Sequence, residues 1–223
     1  VDGLVGSEMC IRDSLNFFQM TKVYKLLSIA ICLLISSSAF AQAPANNECS
    51  GALDISSSLG QGIGVMQNLG PYDNSMATTE ASDPTVGFEC YGEPDGGGAG
   101  PSLENTLWFT FVGDGNAYRI ETSDLCGVTD YIDDGDTQMS LYSGDSCGTL
   151  TVVDCNEDIP GVPAAGPYPS GLTVQTDMGV TYYLMIDGFN FNGTISDGEF
   201  CIDVTQQMSI SCSDSTVSPG TLT

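Results

Sequence analysis

Carboxylates carry most of the chemistry open to this chain. Asp133, Asp134 and Asp136 stand just before a short apolar run, Met139-Ser-Leu-Tyr142. Asp154, Asn156 and Asp158 follow a second run, Leu150-Thr-Val-Val153. A Gly-containing turn joins the two runs, and the stretch reads as a β-hairpin. Antiparallel pairing brings the ends of a hairpin together, so the two acidic groups are expected to meet. Asp187, in an Asp-Gly turn, is a further residue of the same kind. Ca²⁺ takes roughly six to eight oxygen ligands of this sort, and it is the one cofactor these residues point to. The spacing is not that of an EF-hand loop, because the DxDxDG register and its terminal Glu are both missing. The same residues also suit solvated acidic loops and ordinary turns. A carboxylate pair for glycoside hydrolysis is weak evidence in a chain with 29 acidic residues, since pairs then arise by chance. Histidine is absent, which removes Ser/His/Asp and Cys/His machinery. No catalytic residue is assigned, and the segment is read as non-enzymatic.

The charge balance narrows the partners. Four basic residues face 29 acidic ones, a formal net charge of −25. Arg12, Lys22 and Lys25 lie near the start, so Arg119 is the sole basic side chain beyond residue 41. Such a surface repels nucleic-acid phosphates and anionic lipid. It suits divalent cations, neutral sugars or a salty exterior. Trp108, Tyr118, Tyr142, Tyr182 and Tyr183 are the aromatics that would form a sugar-stacking face, although strand aromatics more often serve the core.

The leader sets the compartment. Met20 to Lys25 is short and basic, Leu26 to Ser37 is mainly apolar, and Ala39-Phe-Ala41 is a small-x-small cleavage site. This is the pattern of a secretory signal peptide over 20–41, with an apolar run too short to span a membrane. The mature form is therefore expected to be secreted, extracellular or at the cell surface, without membrane insertion. Residues 1–19 precede the leader's Met and read as upstream or adapter translation, so they are excluded from fold reasoning.

The elements that must position these residues are strands. Asn105 to Val112 is aromatic and β-branched with two apolar faces, as a central strand requires. Ala117 to Thr122 alternates, with Tyr118, Ile120 and Thr122 on one face. These two runs are expected to form an antiparallel hairpin across Gly113-Asp-Gly115. Val180 to Ile186 and Glu199 to Val204 are further strands, the second with Phe200, Ile202 and Val204 inward. Asn46 to Ile55 reads as an opening strand, Gly60 to Leu69 as a bent one, and Leu172 to Val174 as a short one. The glycine-rich stretch within 83–102 is a loop and not a phosphate cradle, because it lacks GxGxxG after a strand and has no Lys. About eight or nine short strands imply an all-β, antiparallel, jelly-roll-like sandwich over 42–207. Residues 208–223 are Ser/Thr-rich and read as a linker or the start of a further domain of the same chain. Beyond the leader lie Cys49, Cys90, Cys126, Cys147, Cys155, Cys201 and Cys212. Export favours disulfides, and the expected pairs are Cys147–Cys155, Cys49–Cys201 and Cys90–Cys126, with Cys212 left over.

Several pieces in order carry a family resemblance: Asn47-Glu-Cys49, Ala77-Thr-Thr-Glu80, Leu107-Trp-Phe-Thr-Phe111, Asp136 to Gly144, Cys155-Asn-Glu-Asp158 and Thr181 to Gly188. Together they resemble β-sandwich modules of secreted Bacteroidota proteins, similar to bacterial pre-peptidase C-terminal and CUB-like domains. The resemblance implies a non-catalytic module of a larger exported or cell-surface protein, one that binds a glycan or an extracellular protein or acts as a spacer. The alternative it leaves open is an accessory domain of an exported peptidase or other hydrolase.

Overall fold

The computed structural model describes residues 42–84, 102–132, 135–161, 166–191 and 193–209. The leader, the glycine-rich stretch, Asp133, Asp134, Cys90, Cys212 and the Ser/Thr-rich tail lie outside the described residues. In chain order the strands are β1 (Leu53–Asp54), β2 (Met66–Asp73), β3 (Leu107–Val112), β4 (Ala117–Ser123), β5 (Thr137–Ser143), β6 (Thr151–Asn156), β7 (Gly171–Gln175), β8 (Thr181–Gly188), β9 (Asn190–Phe191), β10 (Thr194–Ile195) and β11 (Glu199–Gln207). Two 3-10 turns, Cys49–Gly51 and Ser56–Ser58, precede β2. Among the described residues no helix is long and apolar enough to cross a membrane.

The strands make two main sheets. One has the order β1-β3-β8-β5-β6 and the other β2-β11-β4-β7, with β9 and β10 forming a separate ribbon. Every pairing in the main sheets is antiparallel except β1 with β3. Alternation builds the core between them. Phe109 and Phe111 of β3, Leu141 of β5 and Leu184 of β8 face Tyr118 and Ile120 of β4 and Phe200 and Ile202 of β11, all buried in one cluster. The all-β sandwich expected from the strand pattern is the architecture found.

The outer face of the five-stranded sheet is also covered. Trp108, Tyr142 and Met185 form a second buried cluster there, with Cys49, Ala52 and Leu150 packed against it. The Trp108 indole N–H donates to Asp83 Oδ1 (3.1 Å), whose other oxygen accepts Thr106 Oγ1 (2.9 Å) and the Glu80 N–H (2.8 Å). Buried Asn47 ties the segments over this face together. Its Oδ1 accepts the Thr78 N–H (2.6 Å), and its Nδ2 donates to Thr78 Oγ1 (3.0 Å) and Glu80 Oε1 (3.2 Å). A buried polar side chain left without such partners would cost about 1–3 kcal/mol.

Some expectations need correction. β3 and β4 follow one another but belong to different sheets, so Gly113-Asp-Gly115 is a crossing between layers and not a hairpin turn. β3 pairs with β8 over its whole length, because Phe109 and Phe111 can then reach the interlayer core. The opening strand shrinks to Leu53–Asp54, and the bent strand lies later than expected, at Met66–Asp73.

The disulfides also differ. Cys49 is bonded to Cys147 and Cys126 to Cys201, so none of the pairs Cys147–Cys155, Cys49–Cys201 and Cys90–Cys126 forms. Cys155 lies on β6 opposite Ser140, whereas Cys147 lies in the turn before that strand. With roughly 3.3 Å of rise per strand residue, a hairpin cannot staple its turn to its own base. Cys155 is itself disulfide-bonded, to a residue other than these four. Cys201, at the β4 edge of β11 opposite Ser123, is instead beside Cys126, just past the end of β4.

Candidate functional site

The hairpin of β5 and β6 forms as the acidic pattern requires, with Met139 opposite Asn156. Asp133 and Asp134 lie outside the described residues, so only the remaining carboxylates of the hairpin are placed. Among the described residues no three His, Cys, Asp or Glu side chains stand close enough to hold a metal ion. Asp154 is exposed on β6 and accepts the Cys155 N–H (2.9 Å). Asn156 makes a corner: its Oδ1 accepts the Gly171 N–H (2.9 Å), and its Nδ2 donates to the Asp158 carbonyl (2.9 Å). It thereby links β6 to β7, at the edges of the two sheets. Asp136 accepts the Phe189 N–H through its carbonyl (3.1 Å). Asp158 is exposed.

Asp187 lies on β8, which pairs directly with β5 and is separated from Asp154 and Asn156 of β6 by that strand. It is wholly buried and accepts the backbone N–H groups of Glu104 (3.1 Å) and Asn105 (2.8 Å). Asn105 answers through its Oδ1, which accepts the Gly188 N–H (2.9 Å). Asp187 is therefore the anchor of the chain entering β3. Burial pushes its carboxyl up to about 7, against the lowering effect of the N–H groups of Asn105 and Glu104, with the Glu104 charge raising it further. Gln138, its register partner on β5, is also buried, and its Oε1 has no hydrogen-bond partner among the described residues.

The aromatics divide by burial. Trp108, Tyr118, Tyr142 and Tyr182 are buried. Their place is in the core: Phe111 and Tyr182 stack at 5.2 Å, and Trp108 and Tyr142 meet at 5.8 Å. Tyr183 is different. It alternates with Tyr182 onto the outer face of the five-stranded sheet and is only half-buried.

Tyr183 lines an open cleft of about 440 Å³. Thr110, its register partner on β3, lies beside it on the floor. One lip is the 3-10 turn carrying Cys49 and Ser50, and the other is the β5–β6 turn carrying Asp145, Ser146 and Cys147. The Cys49–Cys147 bond joins the lips. Backbone bonds hold each one: Trp108 N–H to the Asn46 carbonyl (2.8 Å), Gly144 N–H to the Thr181 carbonyl (3.2 Å) and Thr149 N–H to the Ser146 carbonyl (3.0 Å). Gly51 is required in the first lip, since a Cβ there would lie 2.2 Å from the Ala45 carbonyl oxygen.

The cleft thus offers an aromatic ring, hydroxyls and one carboxylate, and no cation among its lining residues. It falls within the roughly 300–1,000 Å³ of small-molecule sites. Of its residues, sequence reading singled out Tyr183 for stacking and Cys49 and Cys147 for pairing, but with other cysteines. Asp145, Ser146 and Ser50 were missed, because only the Cys49–Cys147 link brings their two segments together. No protein-family model and no curated protein matches the chain.

Proposed function

We propose that this chain is a non-catalytic extracellular binding module, a part of a larger exported or surface protein, and that it holds its ligand in the cleft between Ser50 and Asp145. The resemblance to secreted Bacteroidota β-sandwich modules agrees with that role. One observation carries the proposal: the cleft's two lips are joined covalently by Cys49–Cys147 over a sheet floor. Walls fixed in this way lose little freedom when a ligand enters, which favours affinity.

Calcium has a place in this reading only as a stabiliser of the acidic loops. The cleft contains a single carboxylate, that of Asp145, so ligand binding is expected to persist in EDTA. The test is retention of extracellular polymers and surface proteins by the immobilised chain. Ala52, which also lines the cleft, gives a plug variant. Ala52→Trp should abolish retention while the circular dichroism spectrum is unchanged. Undiminished retention by a folded Ala52→Trp variant would place the binding surface elsewhere.

A further inference from the structure

We infer that the cleft is a subsite for a neutral sugar ring, stacked on Tyr183 and held at its hydroxyls by Asp145. The inference rests on the proposed binding role and names its ligand class.

Three features of the cleft converge on this chemistry. The first is Tyr183. The four other aromatics considered for stacking are buried, whereas Tyr183, which packs against the Trp108–Tyr142–Met185 cluster, is half-buried and lines the cleft. A partly accessible tyrosine between hydrogen-bonding walls suits a ligand with an apolar C–H face and a polar rim, which is the character of a pyranose. The second is Asp145, exposed on the β5–β6 turn. An ionised carboxylate only accepts hydrogen bonds, through two oxygens. It is matched by two adjacent hydroxyl donors, and such charge-assisted bonds are stronger than neutral ones. Ser50 and Ser146 add hydroxyls on opposite lips that can donate or accept.

The third feature is the absence of positive charge among the lining residues. Arg119, the sole basic side chain beyond residue 41, lies on β4 in the other sheet and is paired with Glu121 at 2.5 Å. A sulfate, phosphate or uronate would meet Asp145 and the chain's overall negative field without a counter-charge. A purely apolar ligand would desolvate the Asp145 carboxylate without offering it a donor. A neutral polyol avoids both penalties.

The whole chain is tested on an array holding neutral, amino, sulfated and uronic glycans, alongside cationic peptides. Binding to neutral glycans is expected, with affinity little changed between 0.05 and 0.5 M NaCl, an interval that spans strong screening of charge pairs (Debye lengths from roughly 14 to 4 Å). Tyr183→Phe should keep binding within about threefold, because the ring remains. Tyr183→Leu and Asp145→Asn should each weaken it about tenfold or more, the size of one or two lost hydrogen bonds or stacking contacts. Near-UV circular dichroism of each variant confirms the fold. Salt-sensitive binding to cationic peptides or to anionic glycans, with no neutral glycan bound, overturns the ligand class. So does neutral-glycan binding that Tyr183→Leu and Asp145→Asn leave intact. If Ala52→Trp still abolishes retention in either case, the cleft stands as the site and only the sugar assignment falls. If Ala52→Trp has no effect, both fall.

Discussion

At the scale of single residues, Asp187 shows how a carboxylate that looks like a ligand can be a structural anchor. Its Asp-Gly context and the surrounding acids suggest metal binding in sequence. Its position on β8, two residues after buried Met185 on the same face, buries it instead under Glu104 and Asn105. Nothing local distinguishes the two roles, because the N–H groups that satisfy it come from residues 82 and 83 positions away. A pH dependence follows. The carboxyl's pKa rises from 3.8 to about 7 on folding, so between those values the folded state holds a proton that the unfolded state has lost. Stability from this group is therefore full at low pH and falls as pH rises through about 7. The melting temperature is expected to drop between pH 5 and pH 8. Asp187→Asn should flatten that slope, as a thermal melt series on both proteins would reveal. An asparagine also supplies a donor on the face it shares with the unpartnered Gln138 Oε1.

At the scale of elements, strands were more legible than their partners. β4 shows in Ala117 to Ser123 because Tyr118, Ile120 and Thr122 alternate with Arg119 and Glu121, and the burial follows that alternation. The β5–β6 hairpin was readable from two short apolar runs joined by a Gly-containing turn, and it forms where expected. Pairing between distant strands was not readable. Gly113 and Gly115 look like any tight turn, and whether the chain folds back within a layer or crosses to the next depends on where the aromatic faces find cover. The cysteines pose the same difficulty. Cys147 and Cys155 are near in sequence, but the strand between them holds them apart. The two bonds between described residues span separations of 98 and 75 residues. Closing loops of that size in the unfolded chain is worth about 4 kcal/mol each. Replacing Cys126 and Cys201 together with alanine should lower unfolding free energy by about that much in a urea titration. Non-reducing peptide mapping should recover Cys49 with Cys147 and Cys126 with Cys201.

At the scale of the whole molecule, the sandwich combines long-range pairing with a large excess of negative charge. Only β5–β6 is a sequential pairing within the two main sheets, and β2 lies against β11 near the far end of the described chain. All-β folds of this kind bring distant segments together before they gain core contacts, which slows folding. Fold class was nonetheless legible, since strand-like runs at short spacing leave few other architectures. The cleft was not, because it exists only once the 3-10 turn at Cys49 meets the turn at Cys147. The charge makes its own prediction. Beyond residue 41 a single basic side chain faces the acids, so added salt screens more repulsion than attraction. The melting temperature should rise from 0.02 to 0.5 M NaCl at pH 7, roughly the range over which the Debye length shrinks from about 20 to 4 Å. A fall in calorimetry would contradict this balance.

The disulfides Cys49–Cys147 and Cys126–Cys201 also interleave. Cys126 lies inside the span closed by Cys49 and Cys147, and Cys201 lies outside it. A single cut anywhere between Cys49 and Cys201 therefore crosses at least one of the two bridges. A protease that nicks a surface loop in this interval produces two pieces that stay tethered, and the break becomes visible only after reduction. A cut in a loop therefore need not separate the two lips of the cleft, which Cys49–Cys147 keeps joined.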